Sequence, residues 1–468
     1  MKNFWGIDLS TLEMIGDKLQ VVFDRYRHLL KTKTRDTSAQ GLNYLKGCLL
    51  LETDRNYANI DRKISGNPMA DGQAIQQFMS DSPWSADTVF QQVRQDIKSN
   101  EALQGGTLNF DETGDECSGK HKAGAARQYL GRLGKVDMGQ VGVLSSYSLD
   151  NLWLLTDAEL YFPKKWFEPA YQAQWKKLHI PVDKRFATKL AIAREQFDRA
   201  NNESLPFDWV GGDAYYGQSL DFRWHIGDQN KQYLFSVPKD MQVWLANPLE
   251  DNSPANNSQT VEQLATTATF ETIQVRWTER GMMELPYSFI PVWTFKHQGK
   301  VADWQARQEM LVIRKEADGK ISYALSNGVQ TAKLILAQQR SERYFVERTI
   351  QDCKSELGAD ELQALKYRAY MHCLAMNAIA LTFLASVKLE QRKQFAPIDE
   401  VQQAIEVEQL PDLSLANVKE LLSVTMPLPQ LSKQQACELV VHKLYKRSVS
   451  TQSRRKRQKR RQNTSKIT

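Results

Sequence analysis

Between residues 105 and 237 short apolar runs alternate with helical segments, and this order constrains the fold more than any other feature. GGTLNFDETG (105–114) carries an apolar run that ends at Asp111. MGQVGVLSSYSLD (138–150) and NLWLLTDAELYF (151–162) read as two further strands joined by a turn near Ser148, Leu149 and Asp150. KRFATKLAIAREQFDRA (184–200) has helical periodicity, with Phe186, Leu190, Ala193 and Phe197 on one face. FDWVGGDAYYG (207–217) is a strand ending at Asp213 and followed by a glycine turn, and QYLFSVP (232–238) is another short strand. The order strand, strand, strand, helix, strand, helix, strand predicts a mixed α/β sheet.

Residues 238–338 interrupt that alternation. A polar loop, LEDNSPANNSQT, precedes the β-type runs TFETIQVRW, SFIPVWTF, QEMLVIRK and KISYALS, which read as a mostly β insertion. Trp277 and Trp293 within it are core residues by default, and the less common role is stacking on an extruded base. The flanks are helical. Residues 10–100 show helical spacing without a Gly- or Pro-rich linker, so they should dock on the sheet region. Helix resumes near Ser341, and the apolar stretch Ala369–Val387 contains His372 and Asn377, which favours a buried helix over a membrane span. The regions are 1–100 helical, 101–237 sheet core, 238–338 β-rich insertion, 339–395 last core helices, and 396–468 a helical C-terminal region with a basic tail.

Asp8 and Glu13 stand where an apolar signal core would be needed, so neither a secretory nor a transit peptide is expected. The five cysteines are scattered without CxxC spacing, which points to a reducing, cytoplasmic compartment. The seven histidines are scattered too, with no HExxH, so any metal must be held by carboxylates. Net charge is +6, yet residues 442–468 carry eleven Lys or Arg and no Asp or Glu, which leaves −5 on the remainder. Seven of the eight positions 454–461 are basic: Arg454, Arg455, Lys456, Arg457, Lys459, Arg460 and Arg461. Like charges with nothing apolar to bury cannot fold alone, and the run reads as a polyanion-binding arm.

An Asp at a strand end usually caps a loop or helix, and Asp111 or Asp213 alone would be read so. Together with an acidic and basic helix downstream they suggest more. Carboxylates brought together raise one another's pKa unless a cation joins them, and an oxygen-only set suits Mg²⁺ or Mn²⁺. The helix offers Glu342, Glu347, Asp352 and Glu356 as a third acid. At about 100° per residue Arg343, Glu347 and Lys354 share a face. That face is either a salt-bridged solvent surface or a metal ligand with cations that grip a phosphodiester.

The pattern Asp111-x-Thr113, Asp213-x-x-Tyr216-Gly217, Arg343-x3-Glu347-x6-Lys354 resembles the signature of bacterial insertion-sequence DDE transposases. More closely, the chain resembles the insertion-sequence-701 family. The likeness lies in RQYLGRLGKVDMGQVGV (127–143), LYFPKKW (160–166), RFATK (185–189) and VERTIQDCKSELGADELQ (346–363). It extends to YLKG near Tyr44, SPW (82–84) and LPDLSLANVKELL (410–422). Many relatives have a Tyr three residues before the Arg of the helix signature, where this chain has Arg340, with a Tyr at 344.

The resemblance implies an RNase H-like core, with the first two acids on the sheet, the third on a late helix, and a β-rich insertion between. It implies Asp111, Asp213 and Glu347 as the catalytic metal ligands for two Mg²⁺ or Mn²⁺ ions, with Asp111 shared. Arg343 and Lys354 would contact phosphates. It further implies a DNA transposase that cuts the terminal inverted repeats of its element and joins them to target DNA. Such an enzyme would act as a homodimer on DNA, at the nucleoid, with no membrane partner. End recognition is assigned to the N-terminal region, with Arg25, Arg27, Lys46 and Arg55 as candidate contacts against a solvated-face alternative. Two other classes compete: a transposase-derived DNA-binding protein without catalysis, and a metal-dependent nuclease without strand transfer. No acid is replaced, which argues against the first.

Overall fold

The structure, a computed structural model, describes residues 14–117, 119–250, 257–278, 281–296, 303–394 and 413–464. Helices α1 (Ile15–Arg27), α2 (Ser38–Leu50), α3 (Tyr57–Ser65), α4 (Gln73–Ser80) and α5 (Ala86–Lys98) come first. On α1, Ile15, Leu19, Val22, Phe23 and Tyr26 form one buried stripe at helical spacing. That stripe belongs to a single apolar cluster running from Ile15 through the sheet to Leu422, so the helical region and the sheet share one core.

The sheet core comprises β1 (Gly106–Glu116), β2 (Ala126–Leu130), β3 (Lys135–Leu149), β4 (Leu152–Leu160), β5 (Phe207–Gly212) and β6 (Gln232–Val237). Strand β3 pairs antiparallel with both β1 and β4, while β1, β5 and β6 are parallel neighbours. Asp150 and Asn151, at φ 49° and 62°, turn β3 into β4, as a tight hairpin requires. The order β4-β3-β1-β5-β6, three antiparallel strands followed by two parallel ones, is consistent with an RNase H-like core. Helix α6 (Lys189–Asn202) precedes β5. After β5 come the single turn α7 (Ala214–Gly217) and α8 (Leu220–Asp228).

Two local readings change. Strand β1 does not stop at Asp111. Its ladder with β3 holds as far as Glu116↔Gly139, and this pairing overrides the turn-like residues 112–115. Phe186 lies outside α6, because Thr188 caps the helix by accepting from the Ala191 amide at 3.1 Å. Phe186 instead packs edge-on against Phe167.

The insertion holds β7 (Gln242–Val243), β8 (Gln259–Thr260), α9 (Val261–Thr266), β9 (Glu271–Thr278), β10 (Gly281–Lys296), β11 (Gln305–Lys315) and β12 (Ile321–Ser326). Rather than forming a separate β unit, β12 returns to pair with β6, from Tyr323↔Val237 to Ser326↔Leu234, and β11, β10 and β9 extend the same sheet. Glu309 on β11 and Arg223 on α8, both fully buried, meet through two hydrogen bonds of 2.9 and 3.0 Å. Breaking such a pair from one side leaves an uncompensated buried charge, at a cost of about 3–5 kcal/mol. Trp293 is half-buried, with its backbone bridged to Trp244, and the Trp277 side chain lies outside the described residues.

The remaining helices are α10 (Lys333–Glu342), α11 (Tyr344–Gln351), α12 (Tyr367–Gln394), α13 (Leu415–Thr425) and α14 (Lys433–Thr464). Residues Tyr367–Glu390 of α12 are long and apolar enough to cross a membrane, but their most apolar stretch is 94% buried inside the fold. His372 there bonds the Met79 and Trp84 carbonyls. The basic run differs from its expectation: it continues α14 instead of being an unfolded arm. Ser432 and Gln435 exchange backbone–side-chain bonds of 2.9 and 3.2 Å at the start, and Lys, Arg and Gln are good helix formers.

Candidate active site

The parallel pairing of β1 with β5 ends at Phe110↔Gly212, and the next residue on each strand belongs to the candidate triad. Asp111 follows Phe110 on a strand that continues, whereas Asp213 follows the last residue of β5. Two neighbouring parallel strands therefore present carboxylates side by side where their pairing ends. Asp213 caps α7 with Oδ1, which accepts from the Tyr215 and Tyr216 amides at 3.0 and 3.4 Å. This leaves Oδ2 without a hydrogen bond among the described residues. Gly217 makes the arrangement possible: a Cβ there would sit 1.8 Å from the Ser236 carbonyl oxygen on β6.

Asp111 accepts from the Glu112 amide at 2.7 Å. Burial, then the charge of Asp213, push its carboxyl up to about 7. The Glu112 amide and Arg343 oppose the rise, and Glu347 adds to it. Asp213, Arg343 and Glu347 all lie within electrostatic reach of Asp111.

The four acids of the late helices separate cleanly. Glu342 is half-buried beside β3, accepts from Ser148 Oγ at 2.8 Å and is raised to about 7, mainly by desolvation. Asp352 accepts from Trp153 Nε1 at 2.9 Å and from Arg348 at 3.3 Å. Glu356 pairs with Lys419 at 3.2 Å. Of the four, Glu347 is the one whose charge acts on Asp111. It is half-exposed and forms an ion pair with Arg343 at 2.6 Å. Among the described residues no three acidic, His or Cys side chains converge as metal ligands. Three carboxylates repel one another, and Arg343 gives Glu347 a nearer cation.

The helix bearing Glu347 is braced from four sides. After Gln351 it widens into a π-turn, Asp352–Glu356, which breaks the 100° periodicity. Lys354 is thereby carried off the Glu347 face. It is 8% exposed, donates to the Gly114 carbonyl at 3.0 Å and pairs with Asp115 at 2.8 Å, both on β1. Arg55 and Lys419 donate to the Glu356 carbonyl at 3.0 and 2.6 Å. Trp153 on β4 stacks on Phe345, with centroids 5.6 Å apart, while holding Asp352.

Three of the four N-terminal cations are paired within the fold. Arg25 pairs with Asp96 at 3.2 Å, Arg27 bonds Ser38 at 3.2 Å, and Lys46 is half-buried. Arg55 is buried and paired with Glu361 at 2.5 Å. In the tail, Arg454, Arg455 and Lys456 are exposed. The side chains of Arg457, Lys459, Arg460 and Arg461 lie outside the described residues. Asp115, Trp153 and Lys419, which position the site, escaped the sequence reading, because no spacing rule links residues so far apart in the chain. The Lys189–Glu112 ion pair beside Tyr215 escaped it for the same reason.

Comparison with known proteins agrees with this geometry. A probable transposase for insertion sequence element IS701 from Microchaete diplosiphon is 24% identical over 176 residues, or 36% of this chain. The alignment spans 42% of that relative, so the chain matches less than half of its length. A family model described as DDE superfamily endonuclease matches residues 26–281, more than half of the chain. That span contains Asp111 and Asp213 and stops short of Glu347. With its two acids side by side on an RNase H-like sheet, this chain belongs to the DDE superfamily endonucleases.

Proposed function

We propose that the protein is a DNA transposase that cuts the ends of an insertion sequence and joins them to target DNA. The observation that supports this is the placement of Asp111 beside Asp213 where the parallel pairing of β1 and β5 ends, with Arg343 and Glu347 within electrostatic reach. The likeness to the IS701 transposase supplies the reaction class.

The acids fit divalent cations. The donor set is all oxygen, which suits Mg²⁺ or Mn²⁺, and Asp111 is buried in excess negative charge that a cation would relieve. Asp111, Asp213 and Glu347 would hold the ions. When bound, the ions would supply positive charge to a phosphodiester and to the oxygen that attacks it. Glu347 must leave Arg343 to join the set, and its half-exposed side chain has room to turn. The released guanidinium can then donate two hydrogen bonds to a phosphate of the cut strand. Asp213 stays fixed by the α7 amides, so its free oxygen keeps one direction. Lys354 and Asp115 tie the π-turn that follows the Glu347 helix to β1. DNA is the partner, the exposed cations of α14 are assigned to its backbone, and a homodimer brings two ends together.

The test uses a duplex with the DNA that flanks the reading frame, pre-cut to a 3′-hydroxyl, and a target plasmid. The native chain should join the two. Asp213→Asn and Glu347→Gln should bind the duplex with native affinity, fold normally and join nothing. Cutting without joining by the native chain would favour a nuclease. Native activity in Glu347→Gln would return the third position to Glu342, Asp352 or Glu356.

A further inference from the structure

A cleft of about 640 Å³ opens between β6, β12 and the short helix α9, and Arg340 of α10 forms part of its wall. Arg340 is 5% exposed. Its Nη1 donates to Ser236 Oγ at 2.9 Å, and its Nε has no hydrogen-bond partner. No carboxylate pairs with it among the described residues. Its charged neighbours are mostly repulsive, Arg314 and Arg343, while Glu316 attracts it from a distance. Glu316 is already held by Arg314 at 2.6 Å and by Ser322 Oγ at 2.7 Å. A guanidinium taken out of water without a counter-charge is costly, and burial beside two other arginines pulls Arg340 down to about 9. The rest of the wall is mixed: Val237, Ala265, Ile321 and Tyr323 line it, the Thr266 hydroxyl is taken up by the Gln263 carbonyl at 2.7 Å, and the Ser236 hydroxyl and Lys239 at the rim are the remaining donors for an anion. The acid at that rim, Glu262, is exposed and pairs with Lys239 at 3.2 Å.

We infer that this cleft is a phosphate-binding site in which Arg340 supplies the buried charge, Ser236 supplies a hydroxyl, and Lys239 supplies the rim charge. The guanidinium and the Ser236 hydroxyl match the acceptors of a tetrahedral oxyanion, which accepts several charge-assisted bonds at once. Arg340 lies three residues from Arg343 on adjoining helices. A DNA strand at the acids could therefore place a second phosphate in the cleft, and free phosphate would use the same contacts. Naming DNA as the source rests on the transposase reading, whereas the anion site itself does not.

The first experiment follows thermal unfolding of the full-length chain as potassium phosphate replaces chloride at constant ionic strength. Native protein should show a saturable rise in melting temperature. Arg340→Gln should lose it, and Lys239→Glu, an exposed change that keeps the fold, should weaken phosphate binding about tenfold. The second uses flanking-DNA duplexes with single methylphosphonate linkages. One neutralised linkage should weaken native binding about tenfold and leave Arg340→Gln, or Lys239→Glu if the former does not fold, unaffected. Such a linkage identifies DNA as the source, and a phosphate effect without one identifies the free anion. An equal melting rise in native and Lys239→Glu proteins, or no rise and no sensitive linkage, would overturn the site. If the duplexes do not bind at all while phosphate still stabilises only native protein, the transposase reading fails and the anion site stands.

Discussion

Replacing Asp111 by Asn should stabilise the cation-free protein at alkaline pH while it removes catalysis. Burial and the neighbouring Asp213 raise the Asp111 carboxyl from an ordinary 3.8 to about 7. A folded-state value above the unfolded one means that the folded chain holds the proton more tightly. The penalty for ionising Asp111 is absent below about pH 4, grows as pH rises toward 7, and is complete above it. At 1.36 kcal/mol per pH unit the gap corresponds to roughly 4 kcal/mol. Asp213 and Glu347 share the charge excess and relax with it, so about 2 kcal/mol is the working figure. An unfolding entropy of about 2.1 cal/mol/K per residue gives roughly 1 kcal/mol per degree for a chain of this size, hence a rise of about 2–4 °C. Asn keeps the shape and still accepts the Glu112 amide, so the change isolates the charge. Melting curves of both proteins in EDTA between pH 4.5 and 8.5 provide the assay. Their difference should open between pH 4.5 and 7 and then stay constant. Mg²⁺ should close it by stabilising the native protein more. A difference that is flat across pH, or an Asn variant less stable at pH 8.5, would refute the idea that Asp111 sits in uncompensated negative charge.

Two further outcomes concern the metal ions and the tail. Cleavage should require Mg²⁺ or Mn²⁺ and stop in EDTA, whereas Ca²⁺ should support DNA binding with little cutting; persistent cutting after chelation would remove the two-ion mechanism. Deleting residues 450–468 removes eight Lys or Arg and takes net charge from +6 to −2. With half of those charges on phosphates, the slope of log affinity against log salt should fall by about 3–4, equally for flanking and unrelated DNA. An unchanged slope would return α14 to a solvated helix.

Much of the site was legible because its signals are local. Asp111 and Asp213 each end an apolar run that pairs in the sheet, and such a run is visible from its neighbours in sequence. The helix carrying Glu347 was visible from its periodicity, and the buried α12 from its composition. The choice among four acids was different. Residue spacing placed them all on one helix, and only the resemblance favoured Glu347; in the fold it is the one of the four whose charge acts on Asp111.

The chain's own order of residues determined the alternation of strands and helices, the positions of the two aspartates and the charge asymmetry of the tail. Each of these comes from short-range periodicity or from a count. Tertiary structure decided what depends on partners far away. Strand β1 runs past Asp111 because β3 pairs with it, and the insertion joins the main sheet because β12 finds β6. Lys354 turns toward Asp115 because a π-turn rotates it away from Glu347, with the exposed carbonyl taken up by Arg55 and Lys419. Arg340 is charged in any sequence reading, and only packing reveals that it is buried without a counter-ion. The cost of burying a charge depends on everything packed around it, and no local pattern of residues records that environment.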